Sequence, residues 1–470
     1  MDKLPLTADK HTGKEAYTWA TCNKVSYALA VMLALAVSSI SWPGFMTFDS
    51  VLALQQARQG ITQGGYPPMV SYVWWLTDIV VPGQGGMFLL QNLLVFLGVT
   101  KFGLAVRAPQ WLLALVLFLI AVAPATLGPM LVVWKDIAFG GWLALGAGFT
   151  IGYWREGRTR DLVLALVVLS IGAAYRLNSL PALTPLLLLL SWRALTPNVI
   201  SLVRRALAAV AAAALVSIAM FIWVISLSSW RLPDFMQITP PSGHHGWVMA
   251  SDLIGMDLCS NSSVLPSAFY PEGLDRAILP QIYHPEHVQL SFYGWQGDPN
   301  LRDAAFDEID AEELQRIWTA AVLSHPLCFL GHRANIAVYL LGLNDGQVFY
   351  VTDPNVFQND MGLEVHHTKL TDFGVTWVLT HADSPLARVW VFMLAASLAL
   401  AWNCWRRRWE PVAPALFLSG TAYLAVGVLL LPAADLRYQF WVVLAMLMTV
   451  LAAAGQPSRS LPVRATPKSE

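Results

Sequence analysis

The stretch FMTFDSVLALQQARQGITQGGYPPMVSYVWWLTD, residues 45–78, decides the fold. It follows the first long apolar run, residues 25–42, which is long enough to span a bilayer. It carries an acid, an amphipathic segment, two adjacent prolines and a tryptophan pair. If it crosses the membrane, every later segment changes side. If it stays on one face, it becomes a loop that can hold a reacting group.

Composition makes a membrane the setting. The chain of 470 residues is 56% hydrophobic and only 13% charged, with a mean hydropathy of +0.53. That is more apolar surface than a water-soluble domain hides. The net charge of -1 gives no hint of nucleic-acid binding. Twenty tryptophans suit a protein with much interfacial surface. The polar leader before residue 25 is long and no small-x-small cleavage site follows, so the first run is expected to be an uncleaved signal anchor.

Further apolar runs lie near residues 87–106, 111–125, 130–153, 162–175, 180–192, 206–229, 387–402, 412–431 and 440–454. With the first run, about ten spans are expected at ~20 residues each. Basic clusters set the orientation. Lys10, Lys14 and Lys24 precede the first span; Lys101 with Arg107, Arg155 with Arg158 and Arg160, Arg193 with Arg204 and Arg205, Arg406 to Arg408, and Arg459, Arg464 and Lys468 follow at alternate turns. All of them fall on the cytoplasmic side if residues 66–81 do not cross. The opening stretch is therefore expected on the outer face.

This reading divides the chain into a membrane part at 1–230 with an outer first loop at 43–85, and an outward-facing, periplasmic domain at 231–386. Membrane helices at 387–455 and a cytoplasmic tail at 456–470 complete it. The inserted region, between the seventh and eighth spans, holds nine of the ten histidines, along with Cys259 and Cys328. That pair is compatible with a disulfide in an oxidising compartment, although sequence cannot show proximity. His284 and His287 make a poor metal pair, because Pro285 between them disfavours a helical arrangement of ligands.

Ionisable residues flanked by apolar runs are costly and mark function by default. Asp49 opens a segment whose apolar and polar residues alternate like an interface-lying helix with its apolar side in lipid; the plainer alternative is a helix cap. Lys135 and Asp136 are adjacent charges in an apolar run, and neighbours at i,i+1 on a helix do not face each other, so each needs another partner. Arg176 and Asn178 separate two short apolar runs; Arg176 either snorkels to headgroups or meets a lipid phosphate. Asp435, Arg437 and Tyr438 form a tight connection between the last two spans, where a guanidinium beside a phenol suits a phosphate.

Together these places resemble a known arrangement. WPGFMTFDS (42–50), YPPMVSYVWW (66–75), WKD (134–136), YRLN (175–178), HPLCFLGHR (325–333) and DLRY (435–438) follow in the order seen in integral-membrane glycosyltransferases that use polyisoprenyl-phosphate sugars. Within that GT-C class the chain is most similar to bacterial relatives of protein O-mannosyltransferases and of lipid A aminoarabinose transferases. The resemblance implies an all-α polytopic membrane protein, a GT-C-like helical bundle in a bacterial inner membrane with both termini cytoplasmic. It implies Asp49 as general base, Asp136 as a second acid that helps hold acceptor, metal or donor, and Arg437 and Tyr438 at the donor phosphate. Lys135 and Arg176 would add cations there, with Tyr66, Asn178 and Asp435 positioning donor or acceptor. Tyr66 departs from the family, in which His or Lys often precedes the proline pair. No cofactor is fixed, though the pattern leaves room for a divalent metal. The acceptor would be an envelope polysaccharide, lipid or protein. The rival class is a transporter or flippase of lipid-linked saccharides, which short discontinuous helices also suit. Against it, no internal repeat is visible and the polar groups gather at one face.

Overall fold

The computed structural model describes residues 10–64, 67–176, 178–195, 202–229, 237–241, 244–294, 300–408 and 410–456. Tyr66, the connection at 231–236 and all but the first residue of the expected tail lie outside the described residues. The described residues are helical apart from one short parallel pair of strands. Among them, five helices are long and apolar enough to cross a membrane, or six if one bent pair counts as a single span.

Helix α1 (Lys10–Ile40) ends at a turn in which Gly44 adopts φ 110°, and a Cβ there would lie 2.8 Å from Phe88 and Val133. Only glycine fits that turn. Helix α2 (Phe48–Gln59) begins after the extended Thr47 and closes on Gly60 in the left-handed conformation. Strand β1 (Ile61–Gly64) runs parallel to β2 (Gln237–Pro241), tying the first loop to the start of the inserted region. Helix α3 (Pro68–Val80) starts on its proline pair, Pro67 extended and Pro68 in the first turn, as proline chemistry favours. At 13 residues it is too short to span upright.

Helices α4 (Gly85–Ala105) and α7 (Lys135–Glu156) cross closely because glycines face the partner. Gly98 abuts Ala144 and Leu145, and Gly141 abuts Leu94 and Val95, at distances no Cβ would allow. Between them α5 (Gln110–Val122) and α6 (Pro124–Met130) form one bent pair, turned by 59°. Two apolar runs thus differ from their expected single helices. The run at 111–125 breaks where Pro124 opens a new helix. The run at 130–153 begins with Leu131 to Trp134 outside any helix, where Leu131 accepts from Phe45 N–H at 3.1 Å and Val133 donates to Phe45 at 2.8 Å.

Helices α8 (Thr159–Ala173), α9 (Leu180–Ala194) and α10 (Leu202–Ser229) follow, then α11 (His244–Ser260). Single-turn helices α12 (Leu279–Ile282), α13 (Leu290–Tyr293) and α14 (Ala305–Glu308) lead to α15 (Ala311–Ser324) and α16 (Pro326–Leu341). Helix α17 (Lys369–Thr380) precedes the apolar helices α18 (Val389–Trp405), α19 (Val412–Leu430) and α20 (Phe440–Ala454).

There are two cores. The larger joins the long helices with residues such as Ile336, Val351 and Val378. The smaller is built by α11, α15 and the short helices around Phe269, Phe292 and Leu301. A disulfide, Cys259–Cys328, joins α11 to α16 beside it. Arg333 of α16 bridges the cores: one arm donates to buried Asp252 at 2.7 Å and the other to the carbonyl of Leu431 at 2.9 Å, just past the end of α19. Carbonyls at a helix C-terminus lack partners within the helix, and this guanidinium supplies one. Asp252 also accepts from Trp318 at 2.9 Å. Burial raises its carboxyl pKa against the lowering effect of Arg333, while burial and Arg333 push the neighbouring His332 down to about 3.

Candidate functional site

Four distant segments meet at the end of the bundle where α2, α7 and α9 begin and α8 and α19 finish. The α4–α7 crossing fixes the start of α7. Gly140 of the same helix packs against Phe440, so α7 and α20 begin side by side. That contact brings Lys135 and Asp136 up to Arg437, which lies in the single 3-10 turn Leu436–Gln439 ahead of α20.

Arg437 is the hub. Its side chain is only 9% exposed, and its guanidinium contacts two carboxylates: Nε donates to Asp435 Oδ2 at 3.0 Å and Nη1 to Asp49 Oδ2 at 3.1 Å. Nη2 donates to Tyr438 Oη at 3.2 Å, and the Trp134 ring lies 5.0 Å from the cation. Arg176 is buried and ion-paired with buried Asp136, and its Nε donates to Asn178 Oδ1 at 3.2 Å. Both guanidiniums lie 5.0 Å from the Tyr438 ring, whose negative π face attracts each of them. Lys135, half-buried, feels the charges of Asp49, Arg176 and Arg437.

The structure thus assembles Asp49, Lys135, Asp136, Arg176, Asn178, Asp435, Arg437 and Tyr438. Tyr66 lies outside the described residues. Three expectations about these side chains change. Asp49 is not the cap residue of α2 but stands in its first turn, after Thr47. Of the apolar residues of α2, Val51, Leu54 and Ala57 are buried against protein rather than laid in lipid, while Leu52 is half-buried and Phe48 exposed. Arg176 does not snorkel, because Asp136 holds it inside. The need of Lys135 and Asp136 for separate partners is met, since Asp136 turns to Arg176 and Lys135 sits among Asp49 and the two arginines.

The Asp49 side chain is 37% exposed. Along one flank of its helix a cleft of about 280 Å³ opens between Phe48, Val51 and Gln55 on one wall and Phe357, Gln358 and Met361 on the other. The second wall is held to the first. Met46 N–H donates to Asn355 at 2.9 Å, Phe357 N–H donates to Met46 at 2.8 Å, and Phe48 meets Phe357 edge to face. Asn359 fixes the loop beyond with four hydrogen bonds to Phe357, Met361 and Leu363.

Sequence reasoning passed over the rear wall. Tyr350 packs 5.9 Å from Trp134 and donates to Asp353 at 2.5 Å; burial and the nearby Asp353 push its pKa up. His287 stands 3.6 Å from Asp435 Oδ1, and burial lowers its pKa against the opposing pull of Asp435. Trp134 lay in a quoted motif and could have been marked as an aromatic neighbour of the charges. Tyr350 comes from a polar stretch in which no local pattern separates it from surface residues, and the sequence marks His287 only as half of a poor metal pair with His284. Among the described residues no group of three or more His, Cys, Asp or Glu side chains could hold a metal. No protein-family model, curated protein or solved structure matches the chain.

Proposed function

We propose that the protein transfers a sugar from a polyisoprenyl-phosphate donor to a cell-envelope acceptor at the outer face of the membrane. One observation carries this reading. Three cations and three carboxylates from sequence-distant segments converge at one end of an apolar helical bundle, where charge is costly unless used.

The finer topology belongs to the same proposal. Counting the shorter apolar helices, α1, α4, the α5–α6 pair, α7, α8, α9, α10, α18, α19 and α20 make ten crossings. Ser38 of α1 accepts from Asn92 of α4 at 3.0 Å, and Trp42 packs on Gly85, so the first loop leaves and re-enters at one end. The other end gathers Arg155, which pairs with Glu410 at 3.4 Å, and the nearby charge of Arg107. By the positive-inside rule that end is cytoplasmic and the Arg437 end faces outward, with the region around the smaller core beside it.

The chemistry follows from the pairings. A donor phosphate and Asp49 compete for the same guanidinium arm. When phosphate takes it, Asp49 is released beside the cleft as a base. The acceptor O–H or N–H attacks the anomeric carbon from the face opposite the phosphate, and its proton passes to Asp49. The bond from that carbon to the phosphate oxygen breaks, and polyisoprenyl phosphate leaves with the electron pair, which inverts the anomeric centre. Arg437, Arg176 and Lys135 meet the developing charge. Asp136 acts by holding Arg176. The cleft between Phe48 and Phe357, with aromatic edges and side-chain amides, suits a hydroxylated acceptor.

Purified protein supplied with radiolabelled polyprenyl-phosphate sugar and a membrane extract tests this reading. Label is expected in a non-donor product, with no net movement of donor between leaflets. Translocation without transfer would replace it with the flippase.

A further inference from the structure

We infer that His287 is a positioning residue for the phosphate site, holding Asp435 and through it Arg437 in the orientation a donor phosphate meets. The inference rests on the transfer reading and adds to it a residue from the inserted region. Asp435 is fully buried and cannot be satisfied by bulk water. Its Oδ2 accepts from Arg437, while Oδ1 has no hydrogen bond among the described residues and faces His287 Nε2 at 3.6 Å. A buried carboxylate oxygen left unpaired is expensive, and a ring N–H is the group at hand. The separation is longer than a hydrogen bond, as contacts of this kind often are before substrate tightens the site.

The ring is not there by drift. Residues 286–288 run antiparallel to 432–434: Val288 N–H donates to Pro432 at 3.0 Å and Ala434 N–H to Glu286 at 2.7 Å. The two segments place His287 two residues from Asp435 across that short ladder. Phe349 lies 5.5 Å behind the imidazole, and Leu436 N–H donates to the carbonyl of the same Phe349. The charges that reach His287 are Asp435, Arg437, Glu286 and Asp49.

In this setting the neutral ring keeps its proton on Nε2, toward the carboxylate, and Nδ1 has no partner among the described residues. Protonation changes the balance. An imidazolium draws Asp435 toward itself and loosens its hold on Arg437 Nε. The positioning effect is therefore present above the pKa of His287 and lost as pH falls through it. Donor recognition should suffer more than the bond-breaking step.

The test uses the full-length protein in lipid nanodiscs, with radiolabelled polyprenyl-phosphate sugar and membrane extract across about pH 5 to 8. His287→Leu is expected to raise the apparent donor KM about ten-fold, to change kcat little, and to abolish the rise of KM at acid pH. His287→Gln, whose amide can donate from nearly the place of Nε2, is expected to recover most of the KM but not the acid limb. A parental KM with its acid limb intact in His287→Leu would overturn the inference, as would a glutamine variant no better than leucine. Retention of labelled donor by the same preparations is measured in parallel. Parental protein that retains donor without transferring it sinks the transfer reading alone; equal retention by parent and His287→Leu sinks the role of His287 alone.

Discussion

Asp49 and Arg437 are 388 positions apart in sequence and 3.1 Å apart in space. If the protein transfers sugar as proposed, with Asp49 as base and Arg437 at the donor phosphate, their kinetic signatures should differ. Asp49→Asn keeps the shape and one acceptor oxygen but removes the base, so turnover is expected to fall by ~10²–10⁴-fold. Donor KM should stay level or improve, since phosphate no longer competes with a carboxylate for Arg437. Arg437→Ala should damage both parameters, and Arg437→Lys should recover only part, because a point charge replaces a planar fork that also contacts Asp435. Asp49→Asn protein that is folded, inserted and as fast as the parent would remove Asp49 as base. Both residues were legible in the sequence because a charge among apolar neighbours stands out. Tyr350 and the place of His287 beside Asp435 were not, because in a polar stretch a histidine or tyrosine costs nothing until the fold buries it. Nor could sequence show that Asp136 turns to Arg176, since pairing across helices depends on how α7 and α8 pack.

At the level of elements, the Cys259–Cys328 bridge joins α11 to α16 across 69 residues of chain. Chain entropy puts its contribution at roughly 4 kcal/mol, mostly through the unfolded state. Changing both cysteines to serine should loosen the smaller core while leaving the long helices intact. Hydrogen exchange would show this as lost protection at residues 250–330 and unchanged protection in α4, α7 and α20. Uniform loss across both sets would mean that the two cores unfold as one unit. The positions of most long helices could be read from apolar runs, since a helix among lipids must be apolar along its length. Their breaks could not. Hydropathy gives Leu131 to Trp134 the same weight as the helix after them, yet their backbone is satisfied by Phe45 across a loop. Pro124 was visible as a helix starter, but its 59° bend depends on what α6 packs against.

For the molecule as a whole, the placement of charge predicts sidedness. With Cys22 and Cys404 replaced by serine, Gln358→Cys should react with an impermeant thiol reagent added outside intact cells, and Arg158→Cys only after permeabilisation; both positions are exposed. The reverse pattern would invert the proposed topology. The bridging arginine also bears on the order in which the chain is made. Asp252, Cys259, Cys328 and Arg333 all leave the ribosome before Val428 and Leu431, the two carbonyls that Arg333 grips. The receptor for the end of α19 is therefore synthesised ahead of α19 itself. In the proposed topology, a nascent chain that has translocated and oxidised the smaller core presents a ready dock to α19 as that helix enters the membrane. On that reading biogenesis runs from the outer compartment inward, and the turn bearing Arg437 is set in place only after α19 has docked.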